Sequence, residues 1–462
     1  MFPLEKILDS DSIPGLDGKE SESAKKLCAL LVERFSAARH DDVTLGFVPG
    51  RVEIAGKHTD YAGGHTLVCA INRGFLFAAI ANSKGTVRMV EDSTEFEELE
   101  FPLTQHITPS TGSWANYPMT MGKRVAANFG DKPLRGVDVA FSSSLPVGSG
   151  MSGSSALMMM CFCAIATVNQ LNERKKFWQN IRDGVDLAMY LACAENGQSF
   201  RTLSGGKGVG TFGGSEDHTA ILNCREGALS LYQYSPTVLK AELRWPSEWA
   251  IVLAFSGVRA EKTKQAMDQY NLASRRAFLS VAAYNQLYGR DMKSLQAIDA
   301  DTRGIPEARW LRELEASVEA DRSLNLPGRI RQFLNEERRT TPKAVHGLLW
   351  RDIDAFGTAV SASHRTSRRY LRNITPEVDF LQSSALALGA AGASAFGAGF
   401  GGSLFAVLPS RQKDSFISAW ERAYQNRYTE RARDAVFFAA RPTSGITLWN
   451  DGVPTRFADL FL

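Results

Sequence analysis

Residues 142–157 read Ser-Ser-Ser-Leu-Pro-Val-Gly-Ser-Gly-Met-Ser-Gly-Ser-Ser-Ala-Leu, and from Ala156 to Ala166 every residue is apolar. Gly148, Gly150 and Gly153 let a backbone approach a ligand and take positive φ. Ser149, Ser152, Ser154 and Ser155 add hydroxyls. A loop of this kind entering a buried helix directs unpaired N–H groups and the positive end of the helix dipole at one point, which suits an anion, usually phosphate. The same composition also serves a capped helix after a flexible loop. It is not a Walker loop, because no Gly-Lys-Ser/Thr follows, and its glycine spacing is not that of a dinucleotide fingerprint.

Three more stretches could carry chemistry. Residues 49–64, Pro-Gly-Arg-Val-Glu-Ile-Ala-Gly-Lys-His-Thr-Asp-Tyr-Ala-Gly-Gly, concentrate charge and glycine beside apolar strands at 67–71 and 75–80. Functional loops look like this, and so do turns with solvated charges. Residues 204–217, Ser-Gly-Gly-Lys-Gly-Val-Gly-Thr-Phe-Gly-Gly-Ser-Glu-Asp, put Glu216 and Asp217 directly after a glycine loop, where a single acid reads as a helix or turn cap. Residues 389–403 form another glycine-rich turn, entering an apolar strand at 404–408. Three glycine-rich loops in one chain favour a shared ligand over three unrelated turns.

The elements around these loops follow from periodicity. Helices are expected at 20–38, from Trp114 through Val125, over the apolar run after the serine loop, and at 184–195. Val87–Phe101 alternates as an exposed hairpin would, and Val137–Phe141 is an apolar strand. Strands at 229–232, 240–243 and 250–255 read as a second unit, followed by helices at 262–287, 306–320 and 341–360. Arg365–Arg372 reads as a solvated helix face.

With 462 residues, 44% hydrophobic and 22% charged, the chain is expected to be a soluble protein of two large domains or three smaller ones. A net charge of +3 gives no pull toward nucleic acid or membrane. Six cysteines without a C-x-x-C read as reduced, buried thiols of a cytoplasmic protein. The N-terminus carries charge early and lacks the apolar core of a signal peptide. The longest apolar run, Ala156–Val168, is well short of the roughly 20 residues of a membrane span.

In order along the chain, three of these stretches resemble the motifs of the GHMP kinases (galactokinase, homoserine kinase, mevalonate kinase and phosphomevalonate kinase), most closely the galactokinase branch. P-G-R-V-E-I-A-G-K-H-T-D-Y resembles the signature P-G-R-V-N-x-x-G-E-H-T-D-Y; the serine loop resembles P-x-G-x-G-L-S-S-S-A; Gly397–Gly402 resembles G-A-G-F-G-G. Trp114–Tyr117 looks like W-A-N-Y, and 209–218 looks like the G-G-x-M-D-Q segment that carries the family's catalytic aspartate. The likeness covers about residues 45–405.

This resemblance implies an α/β fold of the α+β type: a ribosomal-S5-like domain, expected at 1–225, and a ferredoxin-like domain at 226–462, with the active site between them. It implies phosphorylation of a sugar, at the anomeric hydroxyl, by ATP with Mg²⁺. Asp217 takes the place of the base, and Arg51 that of the group stabilising the oxyanion and phosphoryl. Gly148, Ser149, Gly150, Ser152, Gly153, Ser154, Ser155 and Trp114 fall at ATP positions. Ser154 and Glu195 fall at metal positions, although a gapless alignment puts Gly206 where Glu195 stands. Arg51, Lys57, His58, Asp60, Gly214, Asp217 and, with a two-residue slip, Tyr270 fall at sugar positions, and Gly397, Gly399, Gly401 and Gly402 form the third motif. The expected partners are a small sugar and ATP, with neither nucleic acid nor membrane, in a monomer or homodimer.

Two departures bear on the substrate. Lys57 replaces the signature glutamate expected at a distal sugar hydroxyl, and Glu53 replaces its asparagine. An ammonium cannot accept a hydrogen bond from that hydroxyl, but it can pair with a carboxylate. Either the substrate is a sugar acid such as galacturonate or glucuronate, or Lys57 and Glu53 neutralise each other in the pocket of an ordinary hexose or pentose. His218 for glutamine and Gly153 within the serine run are milder changes. A galactokinase-like sugar sensor without catalysis, and a GHMP kinase for a non-sugar alcohol, are the competing classes. Arg51, Asp217 and the full loop favour an enzyme, and H-T-D-Y favours a sugar.

Overall fold

The computed structural model describes all residues except 1, 11, 14–15, 94, 111, 261–263, 318–323 and 451–452. Its centre is the strand His65–Asn82, apolar on both faces in two long runs and buried along most of its length. A strand buried on both sides needs cover on both sides. One face is covered by the amphipathic helix Gly18–Phe35, started by an Asp17/Glu20 capping box. The other is covered by Asn116–Phe129 and by Gly153–Val168, whose apolar circumference is buried from Ser155 to Ala166. The main path through this sheet runs Val453–Arg456, Thr447–Asn450, Asp42–Ala55, His65–Asn82, Gly136–Ser143, Thr86–Glu91 and Leu99–Pro102.

A second, four-stranded antiparallel sheet runs Gly392–Ala395, Ser403–Pro409, Trp249–Phe255 and Val436–Ala440. Helices Pro376–Ala387 and Lys413–Arg427 pack on one face of it. The third glycine-rich turn joins its first two strands, which places Gly397–Gly402 at the edge facing the first sheet.

Several expectations need correction. Sheet membership does not divide at residue 225: Ala228–Gln233, Val238–Arg244 and the strands after Pro442 all belong to the first sheet. Only the third of the three strands assigned to a second unit lies in the second sheet. Thr86–Glu91 is a buried strand parallel to Gly136–Ser143, not half of an exposed hairpin, although Leu99–Pro102 does pair with it. The helix expected over 341–360 is two, Thr341–Leu349 and Ile353–Thr366, broken at Arg351 with φ of 54°. The arginines of 365–372 are exposed, as a solvated face requires, and Ser367–Leu371 is a π turn. All six cysteines are free and buried. Among the described residues no helix is long and apolar enough to cross a membrane.

Candidate active site

Arg51 stands near the end of the strand Asp42–Ala55, just past a register shift between Pro49 and Gly50. Arg51 is 5% exposed. Nε lies 2.9 Å and Nη2 2.8 Å from Asp217 Oδ1, and Nη1 donates at 2.7 Å to the Gly150 carbonyl of the serine loop. Glu216 Oε1 is 3.5 Å from Nε. Burial opposes the charge on Arg51, but the carboxylates of Asp217, Glu216 and Glu53 outweigh it and hold the group firmly protonated. Glu216 and Asp217 begin the helix Glu216–Asn223. They are not its caps; both turn to Arg51. Asp217 keeps a third of its side chain exposed, whereas Glu216 is buried. Burial, and then the charge of Glu53, pushes the Glu216 carboxyl well above the usual carboxylate range.

Asp60 closes the other side. The carboxylate so fills its corner that a Cβ on Gly214 would lie 2.0 Å from Asp60 Oδ2, so only glycine fits at 214. Burial raises the Asp60 carboxyl to about 6, with Asp217 and Glu53 adding like charge.

The serine loop has the backbone of an anion cradle. Gly148, Gly150 and Ser152 take φ of 69°, 75° and 61°. Ser152 is the N-cap of Gly153–Val168, yet its hydroxyl caps nothing: it is buried and has no hydrogen-bond partner. An orphaned buried hydroxyl beside unpaired helix N–H groups fits a phosphate. The third motif docks on this loop. Ser403 Oγ donates to Ser149 O at 2.7 Å, and Ala260 N donates to Gly148 O at 2.7 Å. Gly397, with φ of 72°, comes so close to the Gly150 carbonyl that a Cβ would lie 2.7 Å away. Gly399 and Gly401 abut Asn373 and Val258, and Gly402 abuts Ser149. Gly153 stands in open space.

Other expected residues are placed differently. Among the described residues Lys57 does not pair with Glu53. Its Nζ lies 2.9 Å from Ser363 Oγ, which donates at 2.6 Å to Glu336 Oε1. Glu53 instead accepts from the backbone N–H of His58 at 3.3 Å and of Gly397 at 3.1 Å, tying the sugar-signature loop to the third motif. His58, with φ of 56°, sets Nδ1 2.7 Å from Tyr61 Oη and Nε2 3.4 Å from Asn373 Nδ2. Burial and the Arg329 charge hold its imidazole neutral, down at about 3. The Ser155 hydroxyl, next to Ser154, faces Glu195 at 2.8 Å. Glu195, not Gly206, therefore supplies a carboxylate beside the serine loop. Trp114 packs at a tilt against Phe96 and Phe141 in an aromatic cluster. The side chain of Tyr270 lies outside the described residues; the next residue, Asn271, anchors the glycine loop through Gly210 O and Phe212 N.

Sequence reasoning missed Glu216, Glu336 and Arg329. Arg329 donates to the His58 carbonyl at 2.6 Å. Glu216 had a signal, an acid adjacent to Asp217; Glu336 and Arg329 had none, being more than 270 residues from the loop they hold.

Known families match in three blocks: the galactokinase galactose-binding signature over residues 32–80, the GHMP kinases N terminal domain over 116–194 and the GHMP kinases C terminal over 344–426. Galactokinase of Chloroflexus aurantiacus is 28% identical over 408 residues, 88% of this chain and 94% of that protein. Galactokinase of Exiguobacterium sibiricum is 29% identical over 413 residues, 86% and 92%. The structure of Lactococcus lactis galactokinase complexed with galactose superposes with a TM-score of 0.74 at 20% identity, covering 91% of this chain and 98% of the other. Methanococcus jannaschii mevalonate kinase superposes with a TM-score of 0.54 at 13% identity, covering 87% and 99%.

Proposed function

This chain is a sugar kinase, a GHMP kinase of the galactokinase-like branch, and we propose that it transfers a phosphoryl group from ATP to the anomeric hydroxyl of a neutral monosaccharide. One observation carries the reading: a single buried guanidinium, Arg51, joins the carboxylate of Asp217 to the backbone of the serine loop within 2.7–2.9 Å. Phosphoryl transfer needs positioning and charge neutralisation more than covalent help. Asp217, exposed on one side and held by Arg51 on the other, orients the acceptor hydroxyl and takes its proton. Arg51 offsets the charge that develops on the oxyanion and the transferring phosphoryl. Gly148–Ser155 cradles the phosphates, and Ser155 with Glu195 would hold Mg²⁺, which when bound would neutralise phosphate charge. Asp60 and Gly214 form the sugar wall.

The neutral sugar is favoured over a uronate because Lys57 is 2% exposed and its ammonium is directed at Ser363 and Glu336. ADP release with Mg-ATP across galactose, N-acetylgalactosamine, arabinose, glucose, galacturonate and glucuronate tests the assignment. Turnover is expected with a neutral sugar and not with the uronates. Uronate turnover alone would overturn the choice of substrate, and ATP and sugar binding without any turnover would make the protein a sensor.

Asp60 adds a pH signature. A hydroxyl is best received by the ionised carboxylate, so the sugar KM is expected to climb as pH falls through about 6, and Asp60→Asn should lose that dependence. A wild-type KM flat between pH 7 and 5 would contradict this. Because the folded-state value is raised, this group's contribution to stability falls as pH rises from about 4 through 6.

A further inference from the structure

Three helices bring one donor atom each to a common point. They are Ser155 Oγ in the first turn of Gly153–Val168, Glu195 Oε2 in the last turn of Gly184–Asn196, and His218 Nε2 in the first turn of Glu216–Asn223. Ser155 Oγ is 2.8 Å and His218 Nε2 is 3.1 Å from that same Glu195 oxygen. The three residues are 2%, 6% and 3% exposed. The serine contact is a hydrogen bond. The histidine contact is not, because neither His218 ring nitrogen has a hydrogen-bond partner. An imidazole buried with both nitrogens unmatched keeps the full cost of leaving water. The separation has a simpler meaning in coordination chemistry. Two donors about 2.1 Å from one ion and at right angles to each other stand about 3 Å apart. The nitrogen and the carboxylate oxygen are thus spaced as neighbouring ligands, without the direction of a donor and its acceptor.

We propose that His218 is a direct ligand of a divalent cation held with Glu195 and Ser155. The protein then offers the ion one nitrogen and two oxygens. Among the described residues no three His, Cys, Asp or Glu side chains gather on one point, so the set is completed by the Ser155 hydroxyl and by phosphate and water oxygens. That last clause rests on the kinase reading. The motif that this segment resembles carries glutamine at 218, whose amide offers an oxygen instead. Mg²⁺ selects oxygen ligands, whereas imidazole suits transition ions. The exchange shifts the site's preference from Mg²⁺ toward Mn²⁺ and Co²⁺, and makes residue 218 the position that sets it.

The test uses the whole protein with Mn²⁺ and ADP and no sugar, read by electron spin-echo envelope modulation. Wild type is expected to show ¹⁴N coupling to the bound Mn²⁺. His218→Gln should lose it and bind Mn²⁺ about tenfold or more weakly, with an unchanged melting temperature for the metal-free protein. Should His218→Gln fold poorly, wild type grown with [¹⁵N]histidine replaces it, and its modulation must change to that of ¹⁵N. Bound Mn²⁺·ADP without nitrogen coupling, or coupling that survives the substitution or is insensitive to the label, would overturn the proposal while leaving the kinase reading intact. Failure of Mn²⁺·ADP to bind at all would overturn both.

Discussion

Asp217→Asn is expected to lower kcat by about 10²- to 10⁴-fold while leaving the KM values for sugar and ATP within a few-fold. The substitution keeps the shape of the side chain and an oxygen for the Arg51 Nε contact, now 2.9 Å long. It removes the charge and the ability to take a proton. Arg51 stays in place, because its contact to Gly150 O at 2.7 Å does not involve Asp217, and Glu216 and Glu53 still favour its charged form. The loss should therefore fall on the chemical step, as removal of an interaction made only in the transition state does. Steady-state kinetics and a sugar-binding isotherm on the same preparation decide it. A kcat within fivefold of wild type would remove Asp217 from the chemistry. A loss carried by the sugar KM instead would make it a binding residue.

The second large effect concerns stability. Lys57→Met is expected to destabilise the fold by about 3–5 kcal/mol, because it leaves a buried acid without its counter-charge. Lys57 and Glu336 are 2% and 0% exposed and communicate through Ser363 Oγ. Glu336 also accepts from the Gly56 N–H at 3.0 Å and from Thr366 Oγ1 at 3.3 Å. Burial already raises the Glu336 carboxyl, and the Lys57 charge is the chief influence opposing that rise. Without Lys57 the folded-state value climbs further. A carboxyl raised on folding stabilises the protein when protonated and loses that contribution as pH rises, so the variant's deficit should be larger at pH 8 than at pH 5. Lys57→Glu, with two acids facing each other, should be worse, and Lys57→Met combined with Glu336→Gln should recover much of the loss. Chemical denaturation at the two pH values checks each of these. A Lys57→Met deficit below about 1 kcal/mol would show that the pair is solvated rather than buried.

This pair also shows what surrounds the signature's odd residue. From the neighbours in the chain, a lysine in place of the glutamate left two readings open, a sugar-acid substrate or neutralisation by Glu53. Its partner Glu336 lies 279 positions away, on a turn of the second half of the molecule, reached through Ser363.

What the sequence determined by itself was local and repetitive. Glycine at 148, 150, 397 and 214 marks backbone that must turn left-handed or come within contact of another chain segment, and that requirement is legible wherever the residue appears. The long apolar run after the serine loop read as a buried helix, and the short run at 67–71 as a strand, and both are so. Arg51 and Asp217 were legible through the resemblance of their segments to the GHMP motifs; by residue type alone each served equally as a solvated charge or a cap. Tertiary structure alone decided which strands share a sheet, since alternation tells a strand which faces are apolar but not which neighbour it pairs with. Hence Ala228–Gln233 and Thr447–Asn450 joined the first sheet across more than 150 residues. It also brought the Ser155 hydroxyl to Glu195, because one residue is a rotation of about 100° on a helix, and only the packing of a second helix tells which carboxylate a hydroxyl meets. Lys57 with Glu336 and His218 with Glu195 belong to the same class: a side chain's partner is chosen by packing in three dimensions, and no spacing along the chain records it.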